Sequence, residues 1–253
     1  MSQSPKNVPP ERIAELSEGR SESRFLAEWL TIDVRLLIRT ALPELGLAEL
    51  VPSVLAAVDA APRPTVPAQT NAAGMAMANL ASDDVWPAFL SHTSDAVRCL
   101  GTYVAVRGAG TWPELLNRLQ AFADDPHYGV REYAWMALRP RIASDLPGAL
   151  DALTVWCRSD RENLRRCAVE ATRPRGVWCA HLAPLKAAPD QAWPLLKPLK
   201  DDPSLYVRKS VGNWMNDAAK TRPDWVRQRI VGWLAESPTA ATRHIARLAT
   251  RSL

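Results

Sequence analysis

The sequence predicts an all-α protein built as a solenoid of repeated helix pairs, and three observations carry that prediction. Apolar residues recur at spacings of three and four along most of the chain, while the alternation expected of strands is scarce. Three segments, DDPHYGVREYAWMALRP, SDRENLRRCAVEATRP and DDPSLYVRKSVGNWMND, align on an aliphatic residue followed by arginine: Val130-Arg131, Leu164-Arg165 and Val207-Arg208. Eight residues before each aliphatic anchor stands a large apolar residue, Phe122, Trp156 or Leu199, closing a preceding amphipathic stretch. Weaker copies at Val97-Arg98 and Thr242-Arg243 extend the series at intervals of 33, 34, 43 and 35 residues. Two helices every ~34–45 residues is the period of HEAT-like repeats.

In chain order, residues 1–22 are polar and contain prolines, which predicts a frayed start or a short capping helix. FLAEWLTIDVRLLIRTALPEL and LAELVPSVLAAV have helical apolar spacing. The stretch that follows holds three prolines in a short span and predicts a loop over 61–73. Residues 1–73 are thus expected to form an N-terminal helical and capping region, and residues 74–253 the repeats, in a single domain overall. Asp-Pro or Ser-Asp ahead of each second helix suggests an N-cap followed by a proline at an early, permitted position.

The 253 residues suffice for a large core, and 47% hydrophobic with 23% charged residues is ordinary for a globular chain. No apolar run approaches the ~18 residues of a membrane span. The N-terminus lacks the apolar stretch of a signal peptide, so a cytoplasmic protein is expected. Cys99, Cys157, Cys167 and Cys179 show no CxxC pairing and are expected to be reduced and buried. His92, His127, His181 and His244 are scattered without ligand spacing, so neither a metal nor a cofactor is expected. Phosphate-cradling glycine loops and a GxSxG motif are absent from the sequence. A net charge of +4 and a pI near 9.0 permit a polyanionic partner without requiring one.

Counting each second helix from its aliphatic anchor, positions 0, 4, 7 and 8 form one apolar stripe, such as Val207, Val211, Trp214 and Met215. Glu132, Glu170 and Asp217 then fall at positions 2, 6 and 10 of successive repeats. Steps of four advance roughly 40° around a helix, so the three acids lie on one inclined ridge broadly opposite the stripe. They could converge on the surface the second helices line. They could equally be solvated acids, with Glu170 pairing to Arg166 and Asp217 to Lys220 at helical spacing. Arg131, Arg165, Arg166, Arg208 and Lys209 recur at the starts of these helices, and Arg139, Arg141, Arg173 and Arg175 near their ends. Such arginines suit a helix dipole, and a comb of them also suits a phosphate backbone. The stretch VEATRPRGVW gathers an acid, two arginines around Pro174 and Trp178 within ten residues.

The run from about Asp125 to the C-terminus resembles the HEAT-like-repeat DNA alkylation repair proteins, the alkylpurine DNA glycosylases of the AlkC/AlkD type, and the AlkC branch most. RRCAVEATRPRGVW and DDPSLYVRKSVGNWMNDAAKTRPDWV carry that resemblance. It implies a concave basic face that holds duplex DNA, and excision of cationic alkylated bases such as N3-methyladenine by a monomer. It places family acids at Glu170 and Asp217, with Glu132 or Trp135 at a third position. Contacts to the cationic nucleotide fall to Trp178, Trp214 or Trp135. Phosphate contacts fall to Arg131, Arg139, Arg165, Arg166, Arg173, Arg175, Arg208, Lys209, Lys220 and Arg243. The sequence ends at RHIARLATRSL, so the immunoglobulin-like domain that some AlkC-type proteins carry is not expected. Two other readings fit a chain of this kind: a DNA-binding relative without turnover, and a protein–protein scaffold.

Overall fold

A computed structural model describes residues 4–176 and 179–253, and every regular element among them is helical. The chain divides into two compact units, Met1–Ala134 and Trp135–Leu253. The boundary falls inside the helix Tyr128–Ser144.

The first unit contains α1 (Pro10–Ser17), α2 (Leu26–Trp29), α3 (Val34–Glu44), α4 (Val51–Asp59), α5 (Val66–Leu80), α6 (Trp86–Leu90), α7 (Asp95–Arg107), α8 (Trp112–Ala123) and the start of α9 (Tyr128–Ser144). The expected loop over 61–73 is shorter than composition suggests. Helix α5 begins at Val66, and Pro67 occupies a first-turn position where no helical N–H is needed. The N-terminal segment is tied into this unit. The Ser23 hydroxyl and N–H both donate to the buried carboxylate of Asp95, at 2.7 and 3.0 Å, and His127 Nε2 lies 2.7 Å from the Ser23 carbonyl.

The second unit holds the rest of α9, then α10 (Leu146–Trp156), α11 (Glu162–Ala171), α12 (Ala183–Ala187), α13 (Trp193–Leu196), α14 (Leu205–Ala219), α15 (Pro223–Glu236) and α16 (Ala240–Ala249). Helix α14 packs between α11 and α16. Gly212 lets α16 approach, since a Cβ there would stand 2.5 Å from Leu248 Cβ. The apolar stripe is the core: Val130, Leu138, Val207, Val211, Trp214 and Met215 are fully buried, as are Phe122 and Leu199 at the ends of first helices. The 43-residue interval between Leu164 and Val207 has a local cause. Pro184, Pro189, Pro194 and Pro198 break what would be one first helix into α12, α13 and two 3-10 turns.

The aliphatic-arginine anchor of each repeat is a backbone staple. Nη1 of Arg98 donates to the carbonyls of His92 and Thr93, and that of Arg131 to Asp125 and Pro126. Arg165 reaches Ser159 and Asp160, and Arg208 reaches Asp202 and Pro203. Arg243 holds Pro238 in the same way. The carbonyls five and six residues back are those of the turn entering the second helix, and the arginine satisfies them. The expected Asp-Pro cap is corrected in α14. Its N-cap is Ser204, whose hydroxyl accepts from the N–H groups of Tyr206 and Val207, and Pro203 stands outside the helix. Asp202 instead accepts the Ser204 N–H at 2.8 Å and pairs with Arg165 at 2.7 and 3.1 Å.

Candidate active site

In the second unit two acids from different helices converge on one arginine. Glu170 closes the last turn of α11, Asp217 the last turn of α14, and each is only 4% exposed. Arg173 Nη1 donates to Glu170 Oε2 at 3.1 Å, and its Nε donates to Asp217 Oδ2 at 2.9 Å. Nη2 stands 2.8 Å from the same Asp217 oxygen. The Ser210 hydroxyl donates to Glu170 Oε1 at 2.7 Å. Lys220 Nζ is 3.4 Å from Asp217 Oδ1, and Arg166 lies 4.0 Å from Glu170 while stacking on the Tyr206 ring at 4.6 Å. Burial alone would lower the pKa of the Arg173 guanidinium, but the charges and hydrogen bonds of Glu170 and Asp217 outweigh it and raise that pKa, so the group stays a cation.

The local chain explains why Arg173 can reach both acids. Helix α11 ends at Ala171 because Thr172 precedes the Arg173-Pro174 pair, and a residue before proline is driven out of the helical region. The buried Thr172 hydroxyl folds back onto the carbonyls of Ala168 and Val169. Trp214 Nε1 donates to the Thr172 carbonyl at 2.9 Å, fixing α14 against the end of α11. Below this corner Arg139 is almost wholly buried. Its Nη1 donates to the carbonyls of Ala171 and Arg173 at 3.1 and 3.0 Å, and its Nη2 to Ala180 at 2.6 Å. Burial lowers its pKa. Gly176 is required by the closeness of the returning chain: a Cβ there would sit 2.5 Å from both the carbonyl oxygen and Sγ of Cys179.

The structure therefore brings Glu170, Asp217, Arg173, Arg166 and Lys220 together. The acids are not solvated on a ridge opposite the core, as their spacing suggests. They are buried where α11 and α14 pack. Trp214 is itself core, with no exposed surface to offer a nucleotide, and Trp135 is 4% exposed. Glu132 lies on α9 in the first unit, half-buried. Trp178 falls outside the described residues. Among the expected phosphate contacts, Arg165 has its donors committed within the fold, Arg139 gives both terminal nitrogens to backbone carbonyls, and Arg131, Arg208 and Arg243 each give one nitrogen to a turn. Lys209 and Lys220 are exposed, Arg175 is partly so, and neither Arg175 nor Lys209 forms an ion pair among the described residues. Cys99, Cys157 and Cys167 are buried thiols outside any disulfide among the described residues, and Cys179 is partly exposed. Burial pushes the Cys157 thiol far above its ordinary range. No group of three or more His, Cys, Asp or Glu among the described residues is placed to hold a metal ion. No helix among them is long and apolar enough to cross a membrane. The sequence reading missed Ser210, although it stands seven residues before Asp217, two turns away on the same helical face.

Residues 130–253 match the sequence model of the DNA alkylation repair enzyme family. That segment contains the whole acid–arginine cluster. The chain is 35% identical over 136 residues to YhaZ of Bacillus subtilis, an alignment spanning 54% of this chain and 36% of that protein. Its fold is similar to that of Pseudomonas fluorescens alkylpurine DNA glycosylase AlkC bound to DNA containing an abasic site analogue. The TM-score is 0.68 at 24% identity, over 100% of this chain and 65% of that one. It is also similar to AlkD2 of Streptococcus mutans, with a TM-score of 0.57 at 24% identity over 67% of this chain and 79% of that one. These likenesses establish the helical repeat fold. The chain spans about a third of the length of YhaZ and about two thirds of that of AlkC.

Proposed function

We propose that this chain is a DNA glycosylase of base excision repair, hydrolysing the N-glycosidic bond of cationic alkylated bases such as N3-methyladenine in duplex DNA. One observation carries the reading: two nearly buried carboxylates from separate helices meet at a single site inside the family-matched segment. Alkylation at N3 makes adenine a cation that becomes neutral on leaving, so the reaction needs no strong acid. It needs negative charge beside an oxocarbenium-like sugar and a group that accepts a proton from the attacking water. Glu170 and Asp217 supply those two functions from opposite sides of one cluster. The partly exposed Arg175 and the exposed Lys209 supply cations for phosphates. The C-terminal portion of the chain thus carries the chemistry, acting on duplex DNA as a monomer.

The test is release of free base from methylated duplex DNA by wild type, Glu170→Gln and Asp217→Asn. N3-methyladenine release that drops about 10²–10³-fold in either variant is expected, the usual effect of removing one transition-state partner. Salt-sensitive DNA binding with no base release would leave a DNA-shape reader instead, and absence of both would leave a scaffold.

A further inference from the structure

The acid cluster already contains a cation, and its attachments differ from those of Arg139 and Arg165 in the same unit. Arg139 and Arg165 are pinned by backbone carbonyls. Arg173 donates to Glu170 and Asp217 and, among the described residues, to no backbone oxygen. It stands beyond the capped end of α11, so its side chain can swing without unwinding a helix. Its own backbone is the fixed part: Arg139 holds the carbonyls of Ala171 and Arg173, and Pro174 restricts the next φ. The guanidinium covers both acids yet keeps 15% of its side chain exposed, against 6% and 5% for theirs.

We propose that Arg173 is a placeholder cation: it occupies the position of the cationic nucleotide in the DNA-free protein and leaves it for a phosphate when that nucleotide arrives. The inference rests on the glycosylase reading and adds its gate. Two carboxylates this deeply buried cannot lose a counter-cation unless another replaces it. A positively charged nucleotide satisfies that condition and a neutral one does not, so selection for charge is built into the exchange. Lys220 and Arg166 stay on the outer oxygens throughout, and Ser210 keeps Glu170 oriented. The displaced guanidinium gains a phosphate partner of matching fork geometry.

The exchange is tested by binding, without turnover. Duplexes carrying a cationic 1-azaribose abasic mimic or a neutral tetrahydrofuran abasic site are titrated against wild type, Arg173→Lys and Arg173→Gln, with melting curves confirming the fold. Removing the resident competitor is expected to raise the cationic-to-neutral affinity ratio of Arg173→Gln by about tenfold, equivalent to ~1.4 kcal/mol, while Arg173→Lys stays near wild type. If Arg173→Gln does not fold, Glu170→Gln/Arg173→Gln against Glu170→Gln gives the same comparison. An unchanged or reduced ratio overturns the proposal and makes Arg173 a fixed part of the site. A raised ratio without base release from methylated DNA by the wild type keeps the placeholder and rejects the glycosylase. Base release with an unchanged ratio does the opposite.

Discussion

Two buried arginine–aspartate pairs lie within one unit of this molecule, and they differ in what else holds the arginine. Arg165 closes on Asp202 and on two turn carbonyls, while both Asp202 oxygens are used, one of them also capping the Ser204 N–H. Each member is satisfied by partners that never leave. Among the described residues Arg173 closes on Asp217 and Glu170 alone. The same ion-pair chemistry thus makes a corner in one place and an exchangeable cover in the other. What separates them is whether the backbone shares in the bonding.

That contrast is broken most directly by paired substitutions. Asp202→Asn leaves Arg165 buried without its countercharge and is expected to lower stability by about 3–5 kcal/mol. Base release per folded molecule should stay close to wild type. Asp217→Asn should do the reverse, holding most of its melting temperature while base release collapses. Calorimetry and single-turnover base release on both variants would refute the distinction if the two proteins failed in the same assay.

A smaller effect separates arginines that belong to turns from cations free to meet DNA. Lys209→Gln and Arg175→Gln should each reduce the slope of log affinity against log salt by about 1, with unchanged melting. A slope identical to wild type in both would remove them from the DNA contacts.

The smallest effect comes from the first unit, where Arg12 grips the buried Glu28 at 3.2 and 3.0 Å. Burial would raise the Glu28 carboxyl, but the Arg12 hydrogen bonds, the Arg24 N–H and the Arg12 charge hold it below its ordinary range. The unfolded chain therefore takes up the proton first as pH falls. The stabilisation is complete above the unfolded value and fades as pH drops through the folded one. The melting-temperature gap between wild type and Glu28→Gln should narrow from pH 7 toward pH 3, and a gap that widened would reverse the assigned direction.

Much of the fold was legible because repeats announce themselves in the chain. The anchors at Val130, Leu164 and Val207, the apolar stripe behind them and the closing residues Phe122 and Leu199 all lie where periodicity puts them. Helical spacing also placed Glu170 beside Arg166 and Asp217 beside Lys220. The Arg173–Asp217 contact spans 44 residues, and no local pattern encodes it. The anchor arginines were misleading for a different reason, since a staple and a phosphate contact demand the same residue at the same period. One signal did separate them. Six residues before successive anchor arginines stand Asp125, Ser159, Asp202 and Ser237, and the arginine one repeat earlier is locked by the aspartates: Arg98 by Asp125, Arg165 by Asp202. The loop expected over 61–73 ends early, at Thr65, because proline marks helix starts as well as loops.

The staples also bear on how such a chain can change its length. Each one is spelled within seven consecutive residues, from the turn carbonyl to the arginine that caps it, so a second helix arrives with its own corner already specified. The stretch between Thr172 and Lys200 has been lengthened and cut by prolines, yet Arg208 makes the same two bonds as Arg165. Insertions in the first-helix half of a repeat therefore leave the spacing of the other half intact. The surface where chemistry is done can hold its register while the half behind it drifts.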